Sequence, residues 1–170
     1  MTANIEAQYK QGLIYTIRLL TLAKRSERDI HDRLVRKGYH EQAIAKIIDQ
    51  LKKQHLINDL EYSKQKIFWA AHGNPIGRRK IWGDLKKKGI SRELIDQVLE
   101  TYDVTEEKTR AHEAAAARLA KLQKLEPLKQ KKRLYDYLTR RGFPYEICRD
   151  VVTEVMQGDR NLTIDENESN

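Results

Sequence analysis

The chain has 170 residues, and its 33 lysines and arginines against 25 aspartates and glutamates give a formal net charge of +8. A membrane-spanning helix needs about 20 apolar residues, whereas the longest apolar stretch, residues 11–23, is interrupted by Arg18. These features exclude an integral membrane protein, and the single cysteine, Cys148, excludes an internal disulfide and a cysteine-based zinc site. We therefore expect a cytoplasmic protein that does not attach to membranes.

Apolar residues recur at helical spacing along most of the chain. One example is the stripe of Ile44, Ile47, Ile48 and Leu51, and the chain contains only 8 glycines and 3 prolines. Such a stripe places an apolar band on one face of a helix, and no sustained two-residue alternation typical of strands occurs. The sequence therefore predicts an all-α fold.

The predicted helices group into three similar units. In chain order the helices span 9–24, 24–37 and 40–53, then 59–72, 78–89 and 91–103, and finally 105–123, 124–142 and 144–157. The predicted repeats are 9–53, 59–102 and 105–157, and an acidic tail without apolar period, 158–170, is expected to be disordered. Because a unit of about 50 residues buries little core alone, we expect the repeats to stack into an elongated, curved molecule.

A short motif marks the middle helix of each repeat. The matching segments are IHDRLVRKG, IWGDLKKKG and LYDYLTRRG, which end at Gly38, Gly89 and Gly142. Each glycine is predicted to end its helix with a positive φ, where a Cβ atom is costly. Expected N-caps are Ser26, Asn58–Asp59, Ser91 and Thr105.

Charge separates by helix. The three middle helices together carry a net charge of +13, whereas the helices that follow them carry −4. Stacked in register, the middle helices would form a basic stripe suited to an elongated polyanion. The alternative is that each charge run is only a solvated helix face.

Four residues are the best candidates for this stripe. Lys87 and Arg140 each precede their glycine by two positions, and Arg79 and Lys132 each lie eight residues earlier, near the same helix face. Their neighbours complete the candidate set, namely Arg78, Lys88, Lys131 and Arg141.

Residues typical of catalysis or metal binding are scattered. The five histidines show no ligand spacing, and Cys148 follows an apolar residue on the last helix, which favours a buried structural thiol. Phe68, Trp69 and Trp82 are expected in the core, with base stacking by Trp82 as an alternative. We expect no enzyme activity, no cofactor and no metal.

Several short features follow one another along most of the chain. They are Leu22-Ala23 with Arg25-Ser26, Leu34 with Lys37-Gly38, LINDLEYSKQ from Leu56, Gly77 with Leu85, KKKGIS from Lys86, and Leu138 with RRGFPYEI from Arg140. In this order and spacing the chain resembles the RecX family, regulators of the RecA recombinase. The resemblance implies tandem three-helix repeats and a non-enzymatic protein. It also implies a protein that binds the RecA–single-stranded-DNA filament in its groove and suppresses strand exchange, ATP hydrolysis and co-protease activity.

These implied properties lead to one expectation and two alternatives. We expect a monomer that contacts single-stranded DNA weakly or only through the filament, with roles in recombination, DNA repair and the SOS response. One alternative is a helix-turn-helix regulator of naked DNA, although its recognition helices would be basic, and the corresponding helices here sum to −4. The other is a helical scaffold that binds only protein.

Overall fold

The computed structural model describes residues 2–73 and 75–167 of the chain. Within these ranges it contains helices and turns but no strand, so the all-α prediction is confirmed. The helices are α1 (Thr2–Leu22), α2 (Glu27–Arg36), α3 (Glu41–Lys53), α4 (Asp59–His72), α5 (Arg78–Lys87), α6 (Arg92–Leu99), α7 (Val104–Leu119), α8 (Pro127–Arg140) and α9 (Tyr145–Asn167).

The helices form two compact units. Unit 1 comprises the chain up to Lys66 together with Asp84–Val98, and unit 2 comprises Ile67–Gly83 together with the chain from Leu99 onward. The units do not coincide with the predicted repeats, because residues of the second repeat contribute to both.

Each unit has its own apolar core. In unit 1, α1 and α2 pack on α3, and the buried side chains are Ile30, Leu34, Ile44, Ile47, Leu51 and Ile57. In unit 2, α7, α8 and α9 pack against one another around a core that includes Ala111, Ala115, Leu134, Leu138, Phe143, Cys148 and Val151. The apolar stripes read from the sequence therefore face these cores.

The three motif glycines end their helices as predicted. Gly38, Gly89 and Gly142 have φ values of +80°, +79° and +80°. After Gly38, the N–H of Tyr39 donates to the carbonyl of Leu34 at 3.2 Å, and the equivalent bonds follow the other two glycines. This pattern is a Schellman cap, which satisfies carbonyl groups that the helix leaves without a partner.

Gly38 and Gly142 should respond differently to the same substitution. A Cβ atom on Gly38 would meet none of the described residues within 4 Å, whereas one on Gly142 would clash with the backbone of Lys80. We expect Gly38→Ala to lower the free energy of unfolding by about 1 kcal/mol, from the positive φ alone. Gly142→Ala should lower it by at least about 1 kcal/mol more, because backbone atoms must move. Urea unfolding of the two variants measures the difference, and equal losses would contradict the assigned packing.

Three of the predicted N-caps are confirmed and one is wrong. The side chains of Ser26, Asn58 and Ser91 accept hydrogen bonds from backbone N–H groups two or three residues ahead. In α7 the cap is Asp103, which accepts from Thr105 N at 2.6 Å, and not Thr105 itself. The helix begins one residue before Thr105, because the Asp103 carboxylate caps at least as well as a threonine hydroxyl.

Two further expectations differ from the structure. Helix α9 continues past residue 157 to Asn167, because Gly158 costs only about 1 kcal/mol in a helix and no proline follows it. The rest of the expected tail, 168–170, lies outside the described residues. Phe68 and Trp69, which were expected in the core, are 53% and 60% exposed, because they point away from the face that buries Ala70.

No helix in the described ranges is long and apolar enough to span a membrane.

Candidate functional site

Within unit 1, the start of α2 contacts the glycine turn of the second repeat. The hydroxyl of Ser26 donates to the carbonyl oxygen of Lys88 at 2.8 Å, directly before Gly89. The N–H of Glu27 donates to the Asp59 carboxylate at 2.9 Å. The Asp59 carboxylate, at the start of the leading helix α4 of the second repeat, thus caps α2, the middle helix of the first repeat.

Within unit 2, the start of α5 makes the equivalent contact with the third repeat. The N–H of Gly77 donates to the carbonyl of Arg141 at 2.8 Å, and the N–H of Arg79 donates to that of Gly142 at 3.1 Å. The N–H of Arg78 donates to a Glu107 carboxylate oxygen at 2.7 Å. We call these two contacts, each between the start of a middle helix and the glycine turn of the next repeat, the junctions. Because both junctions join equivalent segments, this contact recurs with the repeat.

Glu107 is the most deeply buried charged side chain at these junctions. It is fully buried, and its second oxygen accepts from Nε of Arg78 at 2.6 Å. Arg78 also donates to the carbonyl of Tyr102 at 3.4 Å. Arg78 therefore neutralises a buried carboxylate and is held by the junction.

Asp29 is the charged centre of the unit 1 junction. Its carboxylate accepts from Lys88 Nζ at 2.9 Å, from Arg33 Nε at 3.0 Å and from Arg25 Nη1 at 3.1 Å. Burial raises the pKa of Asp29, but the three hydrogen-bonded cations outweigh it and hold the pKa well below its usual range. Lys88 is therefore engaged in linking the two repeats.

Asp29→Asn should remove a pH-dependent part of the stability. Because the folded-state pKa is depressed, the ionised carboxylate stabilises the native state above the unfolded pKa of about 3.9, and this contribution is lost as pH falls below that value. We expect Asp29→Asn to cost about 1–2 kcal/mol at pH 7. The gap between the urea midpoints of wild type and variant should narrow below about pH 4. A gap that stays constant to acid pH would contradict the ionised cluster.

Three of the eight sequence candidates thus have internal partners. Besides Arg78 and Lys88, Arg141 donates to the carbonyl of Pro75 at 2.8 Å, and its guanidinium lies 4.7 Å from the Tyr137 ring centroid. These contacts hold the three side chains in the junctions. Their charge is visible in the sequence, but these hydrogen-bond partners are not, since each of them lies 24 or more residues away.

The exposed cations of α8 surround a cavity in unit 2. The cavity has a volume of about 330 Å³ and is lined by Arg118, Leu125, Lys129, Lys132, Arg133, Asp136 and Arg140. Five of these seven side chains are basic and one is acidic, so the cavity carries a net positive charge. We call it the α8 basic cavity.

The structure brings together two of the four stripe candidates. Lys132 and Arg140 both line the α8 basic cavity, two turns apart on one helix. Arg79 is exposed and lies near Tyr135, where burial raises the tyrosine pKa and the positive charge of Arg79 partly opposes the rise. Lys87 is exposed in unit 1, and the shared stripe stays a prediction.

Arg118 is a cavity residue that sequence reasoning missed. It lies near the end of α7, in a leading helix of near-neutral charge, and nothing in its sequence surroundings marks it. Its guanidinium lies 5.6 Å from the Tyr137 centroid, and its buried Nε has no hydrogen-bond partner within the described part of the chain. Arg118 and Arg141 thus both contact Tyr137, which anchors Arg118 at the cavity.

A second concavity in unit 2 lies between α8 and α9. It has a volume of about 640 Å³ and is lined by Leu128, Lys129, Lys131, Lys132, Tyr135, Tyr145, Arg149, Val152 and Thr153. Lys129 and Lys132 line both this groove and the α8 basic cavity. We call it the α8–α9 groove, and it places apolar surface beside the basic surface.

Groups suited to other chemistry do not converge on these surfaces. Cys148 is buried as predicted, its thiol donates to the carbonyl of Phe143 at 3.5 Å, and burial raises its pKa. In the part of the chain that the structure describes, no group of three or more His, Cys, Asp and Glu side chains has a metal-binding arrangement. The prominent chemical feature of unit 2 is therefore its exposed positive charge.

Comparison with known proteins supports one assignment. Family models described as the first, second and third three-helix domains of RecX match residues 15–51, 58–99 and 106–152. A "Regulatory protein RecX" from Mycobacterium sp. (strain JLS) is 31% identical over 156 residues, which cover 89% of this chain and 85% of the relative. The chain belongs to the RecX family.

Other RecX proteins show the same likeness in sequence and fold. The relative from Chlorobium limicola is 29% identical over 147 residues, covering 86% of this chain and 91% of the relative. The crystal structure of RecX from Lactobacillus salivarius has a TM-score of 0.73 at 22% identity, with 91% of this chain and 98% of that chain covered. A second RecX crystal structure has a TM-score of 0.77 at 21% identity, with coverages of 85% and 72%. These likenesses confirm an all-α fold of RecX three-helix repeats.

Proposed function

We propose that this RecX chain is a non-enzymatic inhibitor of the RecA recombinase that binds the RecA–single-stranded-DNA filament in its groove. Two findings support the proposal. Curated relatives across the family carry the name "Regulatory protein RecX", and the chain has a surface suited to a polyanion. Through the filament, the protein would modulate recombination, DNA repair and the SOS response as a cytoplasmic monomer.

The observation that carries the proposal is the α8 basic cavity. Lys129, Lys132, Arg133 and Arg140 are exposed on one helix, and among the described residues of the cavity wall Asp136 alone is acidic. Positively charged side chains displace counterions from a nucleic-acid backbone, which supplies most of the affinity that does not depend on sequence. The same cations also complement acidic patches on a protein, so both components of a nucleoprotein filament fit this surface.

A comparison of four targets tests the proposal. Binding is measured to bare single-stranded DNA, bare duplex, RecA alone, and RecA-coated single-stranded DNA held in its nucleotide-bound form. We expect the tightest binding to the coated strand and only weak binding to bare DNA. Tightest binding to bare duplex would favour the helix-turn-helix alternative, and equal binding to RecA with or without DNA would favour the protein-only scaffold. Either result would contradict the proposal.

A further inference from the structure

We propose that the α8–α9 groove is a base-stacking subsite for single-stranded nucleic acid, in which an unpaired base lies on Tyr145 and the adjoining phosphates contact Lys129 and Lys132. The proposal deepens the proposed function, because it assigns a direct contact with the strand itself. It concerns unit 2 alone, since every residue that lines the groove belongs to that unit.

Tyr145 has the exposure expected of a binding residue rather than a core residue. It is 53% exposed at the first position of α9 and packs edge-on with Tyr135, with ring centroids 6.0 Å apart and planes at 74°. An edge-to-face pair covers at most one ring face, so Tyr145, which lines the groove, keeps an aromatic face that this pair does not cover. Bases of any sequence stack on such a face, because each has a π surface.

The remaining walls suit the flat apolar body of a base. Val152 is buried beneath the groove, and Leu128 stands 79% exposed at its edge. Water contact with so large a leucine surface is unfavourable, and a bound base would relieve it. The volume of about 640 Å³ lies in the range of small-molecule sites.

Positive charge surrounds this apolar surface. The rim carries Lys129, Lys131, Lys132 and Arg149, and none of the described residues that line the groove is acidic. Arg149 is paired with Asp150 at 3.0 Å, and Lys129 lies 3.7 Å from Glu126. Among the described residues, Lys131 and Lys132 have no carboxylate within ion-pair distance, so their charge is available to phosphates.

The groove and the α8 basic cavity form one binding track. Lys129 and Lys132 line both surfaces, so a phosphate bound by these two lysines would have further cations on the cavity side and an aromatic surface on the groove side. Proteins that hold single strands without sequence preference combine these two features, a basic path for the backbone and aromatic rings for the bases. An acidic peptide would use the cations but has no need of an open tyrosine face, so single-stranded nucleic acid is the occupant we favour.

The test compares two strands of equal length and charge in the absence of recombinase. Fluorescence anisotropy measures binding of a labelled oligothymidylate of about 12 nucleotides, a length near one single-strand binding site, and of an abasic deoxyribose-phosphate oligomer of the same length. We expect wild type to bind the base-bearing strand about 5- to 100-fold more tightly. Equal affinity for the two strands would overturn the proposal.

Variants of the groove assign the preference to Tyr145. Tyr145→Ala should remove the preference for bases and leave affinity for the abasic strand unchanged, and Tyr145→Phe should retain it. The matched control is Phe68→Ala, because Phe68 has the same exposure of 53% and lies outside the groove. Leu128→Gln, at a position too exposed to matter for folding, should lower the preference in part. If Tyr145→Ala lowers the affinity for both strands equally while its helical circular dichroism is intact, the ring has only a structural role and the proposal is wrong.

Inhibition of RecA, measured separately, distinguishes this inference from the proposed function. A wild-type protein that inhibits RecA but shows no base preference overturns the stacking subsite alone. A protein that prefers base-bearing strands but leaves RecA activity unchanged overturns the proposed function alone.

Discussion

Replacing Arg78 with alanine should destabilise the protein by about 3–5 kcal/mol, which is the usual cost of leaving a buried charge without its partner. The Glu107 carboxylate is fully buried, and Arg78 supplies its cation at 2.6 Å. The backbone N–H of residue 78 would remain as a donor to the other carboxylate oxygen, but a neutral donor does not compensate the charge. Denaturant unfolding at neutral pH measures the loss.

Two further variants make this prediction specific. Arg92→Ala removes an exposed arginine whose pair with Asp96 spans 3.5 Å, and it should cost less than about 1 kcal/mol. Arg78→Met combined with Glu107→Leu removes both charges and should be more stable than Arg78→Ala alone, because no unpaired charge remains. If Arg78→Ala unfolds at the wild-type denaturant concentration, Glu107 is not held as an ion pair and the junction is misassigned.

Reversing Arg79, Lys87, Lys132 and Arg140 to glutamate should abolish filament binding and RecA inhibition. All four side chains belong to exposed positions, so the helical circular dichroism should survive. Neutralising one of these side chains at a time should give a measurable change in the salt dependence of binding. Lys132→Gln should lower the slope of log affinity against log salt by about 0.7, the value for one lost single-strand phosphate contact.

A matched reversal separates this effect from net charge. Lys10→Glu combined with Lys46→Glu changes two exposed lysines of unit 1 that lie outside the candidate set. It alters the net charge as much as Lys132→Glu combined with Arg140→Glu does. If binding depends on a localised surface, filament binding should fall for the second pair and not for the first. Equal losses of filament binding would mean that general electrostatic attraction, and not the α8 surface, is responsible.

The fold could be predicted from the sequence because local rules determine it. Gly38, Gly89 and Gly142 each follow two basic residues at the end of an apolar stripe, and only glycine adopts a positive φ there without cost. Helix ends follow less directly from the sequence, since Asp103 and Thr105 are both good caps and neighbouring residues compete for that role. The end of α9 was missed for a related reason, because one glycine weakens a helix without ending it.

The candidate site could be predicted only in part, because charge is visible in a sequence and pairing is not. Lys132 and Arg140 share a cavity, as their helical phase suggested. Arg78 resembles them in sequence but is paired with Glu107, which is 29 residues distant and whose burial no local pattern indicates. Arg118 reaches the cavity from another helix, so its role depends on tertiary packing alone.

The most direct test of the central claim is RecA ATP hydrolysis on single-stranded DNA, measured with increasing amounts of this protein. We expect wild type and the Lys10→Glu, Lys46→Glu control to inhibit hydrolysis at similar concentrations. The variant that combines Arg79→Glu, Lys87→Glu, Lys132→Glu and Arg140→Glu should not inhibit hydrolysis. Full inhibition by that fourfold variant at the wild-type concentration would contradict the account.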